Sequence, residues 1–279
     1  MTDALTAQVR AALLARGEPV SRLGYFCAPF RPADGPLADK VIKTYRGGRD
    51  PDVLEGLAAR HSAYVDVLRG AGVRLPKTQF LILRDAGHLQ PVIVQDALDE
   101  AMLLRPRIAA APLAEALDLL GAAADSIADF WARVAQRPER IGYHPSIRNF
   151  AIDEQGPIFF DTFPPLIGYS RAEMGQLLLR FSESGLVRAM GRVMPDRIRA
   201  IQDEWYSPAG TLVGLVGSAV RLRPDDGAAI LGWAQSHMAA HLRGALRDEV
   251  LTELDRPPRL PAYWTGMRRV LGLEGKPNV

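Results

Sequence analysis

The chain has little cysteine and no long apolar run, and both features restrict what kind of protein it can be. Cys27 is the only cysteine among 279 residues, so no disulfide can form within the chain. This fits a reducing cytoplasm, which is the expected location. The longest apolar tract near the end, residues 211–220, has about half the length that a membrane helix needs. Residues 1–19 are amphipathic and do not have the pattern of a signal peptide.

The chain also lacks an excess of charge of either sign. It carries 34 basic and 32 acidic residues, which gives a formal net charge of +2. A nucleic-acid-binding or membrane-surface protein normally shows a strongly basic region, so neither nucleic acid nor membrane is expected as a partner. The sequence does not define an oligomeric state. Its richness in Ala, Arg, Gly and Leu is typical of a GC-rich bacterial genome.

The size and composition allow a full hydrophobic core. With 279 residues and 48% hydrophobic content, the chain can form one large domain or two lobes. The first hundred residues alternate between strand and helix patterns. The predicted elements are a helix over 3–16, two short strands within 19–32, a strand over 37–46, a helix beginning at Asp50-Pro51, and strands over 78–85 and 89–98 joined by a turn at 85–87.

The composition changes after Asp99. A proline-bounded connector over 105–112 leads into a long helix that ends near Ala135, and the chain is almost wholly helical from residue 171. The predicted class is therefore α+β, with a β-rich lobe over 1–95 that contains one helix and a mostly helical lobe over 96–279.

A short hairpin interrupts the helical part and carries polar residues at both ends. Two apolar strands surround the turn 153–156, Asn149 stands just before the first strand, and Asp161 follows the second. An amide oxygen and a carboxylate side by side are ligands for a hard cation such as Mg²⁺. The plainer interpretation is that both side chains only cap turns.

The order of these elements resembles the protein kinase-like fold, and in particular its aminoglycoside phosphotransferase-like branch. In that branch an Asn precedes a hairpin and a metal-binding Asp follows it, as Asn149 and Asp161 do here, twelve residues apart. Lys43 in VIKTYR matches the strand lysine that contacts the nucleotide phosphates. Residues 92–98, VIVQDAL, match the segment where adenine docks.

The resemblance implies a bilobal ATP-dependent phosphotransferase that uses Mg²⁺ and acts on a hydroxyl of a small molecule or peptide. Asn149 and Asp161 would bind the metal, and Lys43 would meet the phosphates. The residues of the predicted adenine segment that would contact the nucleotide are Val94, Gln95, Asp96 and Leu98. The acceptor surface would belong to the helical lobe, with Trp205, Tyr206, Trp233 and Trp264 as candidates to line it.

The sequence departs from the phosphotransferase pattern at three places. His144 stands five residues before Asn149, where the family has its catalytic Asp. Gly24 is the only glycine between the first two predicted strands, which is a poor phosphate loop. No glutamate of the first-lobe helix is an obvious partner for Lys43: Glu55 is early, and His61 lies nearest the expected place.

His144 leaves two functions open. A histidine near neutral pH is a capable general base, so the chain can be an active phosphotransferase. Alternatively, the loss of the Asp marks a pseudokinase-type binding or scaffold protein that keeps the fold without phosphoryl transfer. A cleft that binds another ligand, nucleotidyl transfer, and an α+β domain without catalytic function are further alternatives.

One other pair of residues has metal-ligand spacing. His237 and His241 are four residues apart on a predicted helix, a spacing that can chelate zinc. Met238 stands where a zinc protease has its glutamate, so the metalloprotease motif is absent. The sequence favours a plain amphipathic helix here. There is also no GxSxG motif, and Cys27 is expected to pack in the core rather than act as a nucleophile.

Overall fold

The computed structural model describes residues 2–16, 27, 29–181 and 202–255. The first part contains two helices and a three-stranded antiparallel sheet in the order β1-β3-β2. These elements are α1 (Thr2–Leu14), β1 (Lys40–Thr44), α2 (Pro51–Gly70), β2 (Thr78–Asp85) and β3 (His88–Asp96). Most of the region predicted as two short strands, including Gly24, lies outside the described residues, and Phe30 forms a single bridge to Ile42.

Local signals placed the start of α2 and the β2–β3 turn correctly. The Asp50 carboxylate accepts a hydrogen bond from the backbone N–H of Val53 at 3.4 Å, and Pro51 is the first helical residue. Between β2 and β3, Ala86 and Gly87 have φ of 44° and 77°, the left-handed conformation that a two-residue hairpin turn requires. Both predictions are confirmed, with β3 ending two residues earlier than expected.

The second part consists of helices around one small hairpin. Its helices and strands are α3 (Leu104–Ala110), α4 (Leu113–Val134), β4 (Phe150–Asp153), β5 (Gly156–Phe159), α5 (Arg171–Phe181), α6 (Pro208–Leu222), α7 (Gly227–His241) and α8 (Gly244–Leu254).

The prediction of a connector over 105–112 was wrong, because most of that segment forms α3. Its proline, Pro106, lies in the first turn, where the missing N–H removes no bond within the helix. Leu104 and Ile108, one turn apart, are buried in the core and hold the short helix in place.

The two faces of the sheet pack against different parts of the molecule. Val92 and Val94 pack in a small cluster with Val9 of α1. On the other face, Ile93 belongs to the main core, which continues through α2 to Phe159 of the hairpin and the later helices. One continuous core therefore crosses the predicted lobe boundary at residues 95–96, which stays a prediction.

Arg74 connects the segment after α2 to the hairpin. Its two terminal nitrogens donate to the two carboxylate oxygens of Asp153 at 2.6 and 2.7 Å, and one of them also donates to the carbonyl of Gly156. The backbone takes part too, since Phe159 N–H donates to the Arg74 carbonyl at 2.9 Å. A bidentate pair of this kind fixes orientation as well as distance. It holds the hairpin against the segment that follows α2.

The predicted α+β class is confirmed. A sheet with one helix between its first two strands precedes a hairpin and a set of helices, which is the element order that the sequence predicted. In the described ranges, no helix is both long and apolar enough to cross a bilayer.

Replacing Asp153 by Asn should lower the melting temperature at pH 7, because it removes the charge that Arg74 pairs with. Hydrogen bonds from Arg74 lower the pKa of Asp153 to about 2. The ion pair therefore stabilises the fold above the unfolded-state pKa of about 4 and is lost as the pH falls toward 2. Melting curves from pH 7 to pH 2 should show wild type and Asp153→Asn converging below about pH 4. Parallel curves at all pH values would contradict this role.

Candidate functional site

Four consecutive residues that follow the hairpin each contact a different element. We call Phe160, Asp161, Thr162 and Phe163 the 160–163 segment. Its partners come from β1 and the residue after it, from α2 and from the loop before β4. The segment is therefore the place where the sheet, its helix and the helical part of the chain meet.

Lys43 of β1 reaches Phe160, which lies 117 residues later in the chain. Its Nζ donates to the Phe160 carbonyl at 2.7 Å and lies 5.5 Å from the centroid of the Phe160 ring. The side chain is buried. Burial lowers the pKa of Lys43, and the negative charge of Asp161 opposes only part of that shift. The ammonium thus lies in a poorly solvated place beside one carboxylate.

His144 is hydrogen-bonded to Asp161, the predicted metal ligand. The distance from His144 Nδ1 to Asp161 Oδ2 is 3.1 Å, with the histidine buried and the carboxylate side chain 31% exposed. Burial would raise the pKa of Asp161, but His144 and the charge of Lys43 outweigh it, so the pKa is lowered. Because Asp161 is ionised and can only accept, Nδ1 of His144 is the donor in this bond, so in the neutral imidazole Nε2 carries the lone pair.

The opposite nitrogen of His144 faces a protected environment. Nε2 is buried and has no hydrogen-bond partner within the described part of the chain. The Trp205 ring lies against the imidazole, with ring centroids 4.5 Å apart. Trp205 is held there by its carbonyl, which accepts a hydrogen bond from Tyr143 N–H at 2.7 Å.

His61 of α2 meets the next residue of the segment. Its Nε2 lies 2.9 Å from Thr162 Oγ1, and both side chains are buried. Burial and the charge of Lys43 lower the pKa of His61 to about 4, so the ring is neutral at pH 7. His61 therefore lies close enough to Lys43 for the charge of the lysine to lower its pKa.

Phe163 anchors the end of the segment. Its ring stacks on that of Tyr45, the residue after β1, with centroids 3.7 Å apart, and packs edge-on against Phe181 at the end of α5. Tyr45, Phe163 and Phe181 are all buried. This aromatic contact fixes the segment by packing, whereas Lys43, His144 and His61 fix it by hydrogen bonds.

Asn149 is placed beside the segment by its backbone. It ends a short 3₁₀ turn over Ile147–Asn149, and its carbonyl accepts a hydrogen bond from Phe160 N–H at 3.0 Å. Its side chain is half-buried. In the neighbouring Asp161, one carboxylate oxygen is hydrogen-bonded to His144, and the other oxygen takes no part in that bond. A carboxylate and an amide oxygen fit the ligand preference of Mg²⁺.

The predicted adenine segment is divided between the two faces of the sheet. Val94 packs in the small cluster with α1, on the face opposite Lys43, whereas Gln95 is buried and donates to Thr78 Oγ1 at 3.0 Å. Asp96 forms an ion pair with Lys40 at 2.9 Å.

The backbone N–H groups of Asp96 and Ala97 already donate to carbonyls of Lys77 and Asp39. Leu98 follows them and is half-buried. Adenine contact by Val94, Gln95, Asp96 and Leu98 stays a prediction.

The two lysines of β1 have different roles. Lys40 pairs with Asp39 and Asp96 at the sheet surface, so it is bound away from the hairpin. This agrees with the expectation that Lys43 is the better candidate, since residues three apart on a strand point to opposite faces. Glu55, the early glutamate of α2, pairs with Arg84 at 2.9 Å instead of Lys43.

Sequence reasoning missed a second acidic residue near His144. Glu204 precedes Trp205 and packs against Gly214 of α6, where a β-carbon would collide with its carboxylate. Burial raises the pKa of Glu204 to about 7, against the opposing charges of Arg221 and His144. No motif identifies this residue, because its environment is created by packing of the helical turn 202–205 against α6.

The four aromatic candidates for an acceptor surface are in different places. Trp205 contacts His144, whereas Tyr206 lies under the guanidinium of Arg140, 3.4 Å from its carbon to the ring centroid. Trp233 stacks on His237 of α7. Trp264 lies outside the described residues. Of these three described aromatic residues, only Trp205 is seen to contact a partner of the 160–163 segment, namely His144.

The pH dependence of stability should contain two opposing contributions. His61 has a folded pKa of about 4 against 6.5 unfolded, so the unfolded chain binds more protons between these values. Stability from His61 therefore falls by about 3 kcal/mol as the pH drops through that window. Glu204, with a raised pKa of about 7, binds more protons when folded and contributes in the opposite direction.

Single variants separate the two contributions. In urea titrations at pH 7 and pH 5, His61→Gln should become relatively more stable on acidification, and Glu204→Gln should become relatively less stable. Wild type should lie between them. If both variants followed the wild-type pH dependence, the proposed environments of His61 and Glu204 would be wrong.

Two of three comparisons with known proteins find a similar structure or a family. The chain is similar to the structure of the LegK7 effector kinase of Legionella pneumophila, with 12% identity and a TM-score of 0.38 over 97% of this chain and 67% of that one. A TM-score this low does not establish a common fold. A comparison with curated proteins finds no match. The profile of a family of unknown function, DUF6206, matches residues 4–275, and the chain belongs to that family.

Proposed function

We propose that the chain binds ATP with Mg²⁺ between its sheet and its hairpin and transfers the terminal phosphoryl group to a hydroxyl of a small molecule or peptide. The observation that carries this proposal is that Lys43 and His144 both contact the 160–163 segment, which contains the ionised Asp161. A cation for phosphate, a carboxylate for metal and an oriented imidazole are the parts that phosphoryl transfer needs.

Lys43 is suited to bind a polyanion. A buried ammonium is destabilised by the loss of water, and the Lys43 ammonium donates a hydrogen bond to the neutral carbonyl of Phe160. A phosphate group beside it would supply the charge that the site lacks. Nearby His61 is neutral at pH 7, so it does not satisfy the lysine electrostatically.

Asp161 and Asn149 are the residues that would hold the metal. Asp161 is ionised, partly exposed and adjacent to Phe160, whose N–H is bonded to the Asn149 carbonyl. Mg²⁺ bound there would neutralise negative charge on the phosphates. The orientation of Asp161 is set by His144, which restrains one carboxylate oxygen.

His144 is the proposed proton acceptor. Its Nδ1–H donates to Asp161, which leaves the lone pair on Nε2 to take the proton of an attacking hydroxyl. The carboxylate would stabilise the imidazolium that forms. Nε2 is buried and the Trp205 ring lies against the imidazole, so the acceptor can reach Nε2 only if neighbouring groups move.

Two observations favour a second function, a pseudokinase-type binding protein. His144 engages the carboxylate that the metal needs, and its Nε2 is buried. Within the described residues, α2 brings no carboxylate to Lys43, because Glu55 is paired with Arg84 and His61 stands in its place. Such a protein would bind nucleotide without transferring phosphoryl.

Mg·ATP should raise the melting temperature of the wild-type protein. At a hundred times its dissociation constant, a ligand that binds only the folded state adds about 2.7 kcal/mol, or about 5 °C for a chain of this size. Asp161→Asn should abolish the shift, because it removes the metal-binding charge without changing the shape. Lys43→Met should reduce it by removing the phosphate-binding charge.

Asp153→Asn is the matched control for this experiment. Asp153 is also a carboxylate at the end of a hairpin strand, but its charge is used by Arg74. This variant should start from a lower melting temperature and still gain the full shift. No shift of the wild type at millimolar Mg·ATP would overturn the proposal and favour another ligand for the cleft.

Turnover distinguishes the two functions. Wild-type protein with Mg·ATP and a panel of sugar and serine-peptide hydroxyls should release ADP, measured by a coupled assay. His144→Ala should lower that rate by about 10²–10⁴ because it removes the proton acceptor. Most of the ATP-induced melting shift should remain, because Asp161 and Lys43 can still bind metal and phosphate. A retained shift with no ADP from the wild type would identify the pseudokinase-type function instead.

A further inference from the structure

A second cluster of polar side chains lies on the helices away from the 160–163 segment. Asp125 of α4 and His237 and His241 of α7 place one ligand atom each within 4.8 Å of the others. It is the one such group of three His, Cys, Asp or Glu residues in the part of the chain that the structure describes. His237 Nε2 lies 2.8 Å from Asp125 Oδ1.

The approach of α7 to α4 at this point depends on Gly121. A β-carbon there would lie 3.3 Å from both His237 Cε1 and Trp233 Cζ2, which is closer than ordinary contact. Trp233 stacks on the His237 ring, with centroids 4.9 Å apart. His237 is thereby held in one orientation, with its Nε2 toward Asp125.

His241 is oriented by its own helix. Its Nδ1 lies 2.8 Å from the His237 carbonyl, which can only accept, so Nδ1 carries the proton and Nε2 the lone pair. The two imidazole rings are stacked with centroids 4.0 Å apart. A hydrogen bond from Nδ1–H to a carbonyl is the usual way in which a metal-binding histidine is fixed for coordination through Nε2.

We propose that Asp125, His237 and His241 bind one divalent transition-metal ion of the zinc class. Two imidazole nitrogens and a carboxylate oxygen are typical zinc ligands, and water would complete the tetrahedron. The ion would replace the proton shared by His237 and Asp125. The Asp125 side chain is 47% exposed and that of His237 is 13% exposed, so the ion can enter from solvent.

The proposed ion would tie α4 to α7. Met238, which stands where a zinc protease has its glutamate, is buried in the core and supplies no base. The site therefore has no proteolytic motif, and its expected effect is on stability. Only the two histidines were identified from the sequence, because Asp125 lies 112 residues before His237.

Binding of Zn²⁺ to the full chain tests the proposal. Isothermal titration of apo protein with zinc should give one equivalent per chain, and zinc should raise the melting temperature. His241→Ala should weaken binding by at least about tenfold, because it removes an exposed ligand that the core does not need. Asp125→Asn, which keeps the side-chain shape, should also weaken it. Co²⁺ in the wild type should show the visible absorption of a tetrahedral site.

Two control variants separate this site from generic or cleft binding. His88→Ala removes an exposed histidine outside the cluster and should leave zinc binding unchanged. Asp161→Asn, which disables the proposed nucleotide site, should also leave it unchanged. Absence of a stoichiometric equivalent, equal affinity in His241→Ala, or loss of binding only in Asp161→Asn would each overturn the proposal.

Discussion

The hydrogen bond from Lys43 to the Phe160 carbonyl is the interaction on which the rest of the site depends. It joins the edge strand β1 to the end of the hairpin, 117 residues away, across a buried region. A buried ammonium is unfavourable unless it is bonded, so the lysine can be buried only where the hairpin supplies an acceptor. The backbone N–H of Phe160 also donates to the Asn149 carbonyl. The backbone of one residue, Phe160, therefore joins the sheet, the loop before β4 and the hairpin.

That hydrogen bond determines which partner each of the following residues contacts. With Phe160 fixed, Asp161, Thr162 and Phe163 meet His144, His61 and Tyr45 in turn. A shift of one residue would place an ionised carboxylate in the buried position of Thr162 and separate it from His144. Such a charge without a partner is costly in the core, so the polar contacts and the Phe163 packing select the same arrangement.

Whether a feature of this structure can be predicted from the sequence depends on how far apart in the chain its interacting residues lie. The Asp50-Pro51 helix start and the turn at Ala86-Gly87 follow from local rules and were predicted. The hairpin between Asn149 and Asp161 was predicted in the same way. The helix α3 was missed because its proline suggested a break, although its first turn tolerates one.

The pairings that define the sites are not encoded locally. His144 with Asp161 spans 17 residues, Arg74 with Asp153 spans 79, and His237 with Asp125 spans 112. Each partner is ordinary in its own segment and acquires its chemistry from the other. Under the proposed function, His61 follows the same logic: a glutamate there would neutralise Lys43, whereas a neutral imidazole leaves the ammonium with Asp161 as its nearest counter-charge. A phosphate would supply further negative charge beside the Lys43 ammonium. This environment of Lys43 exists only when α2 and β1 are packed against the hairpin.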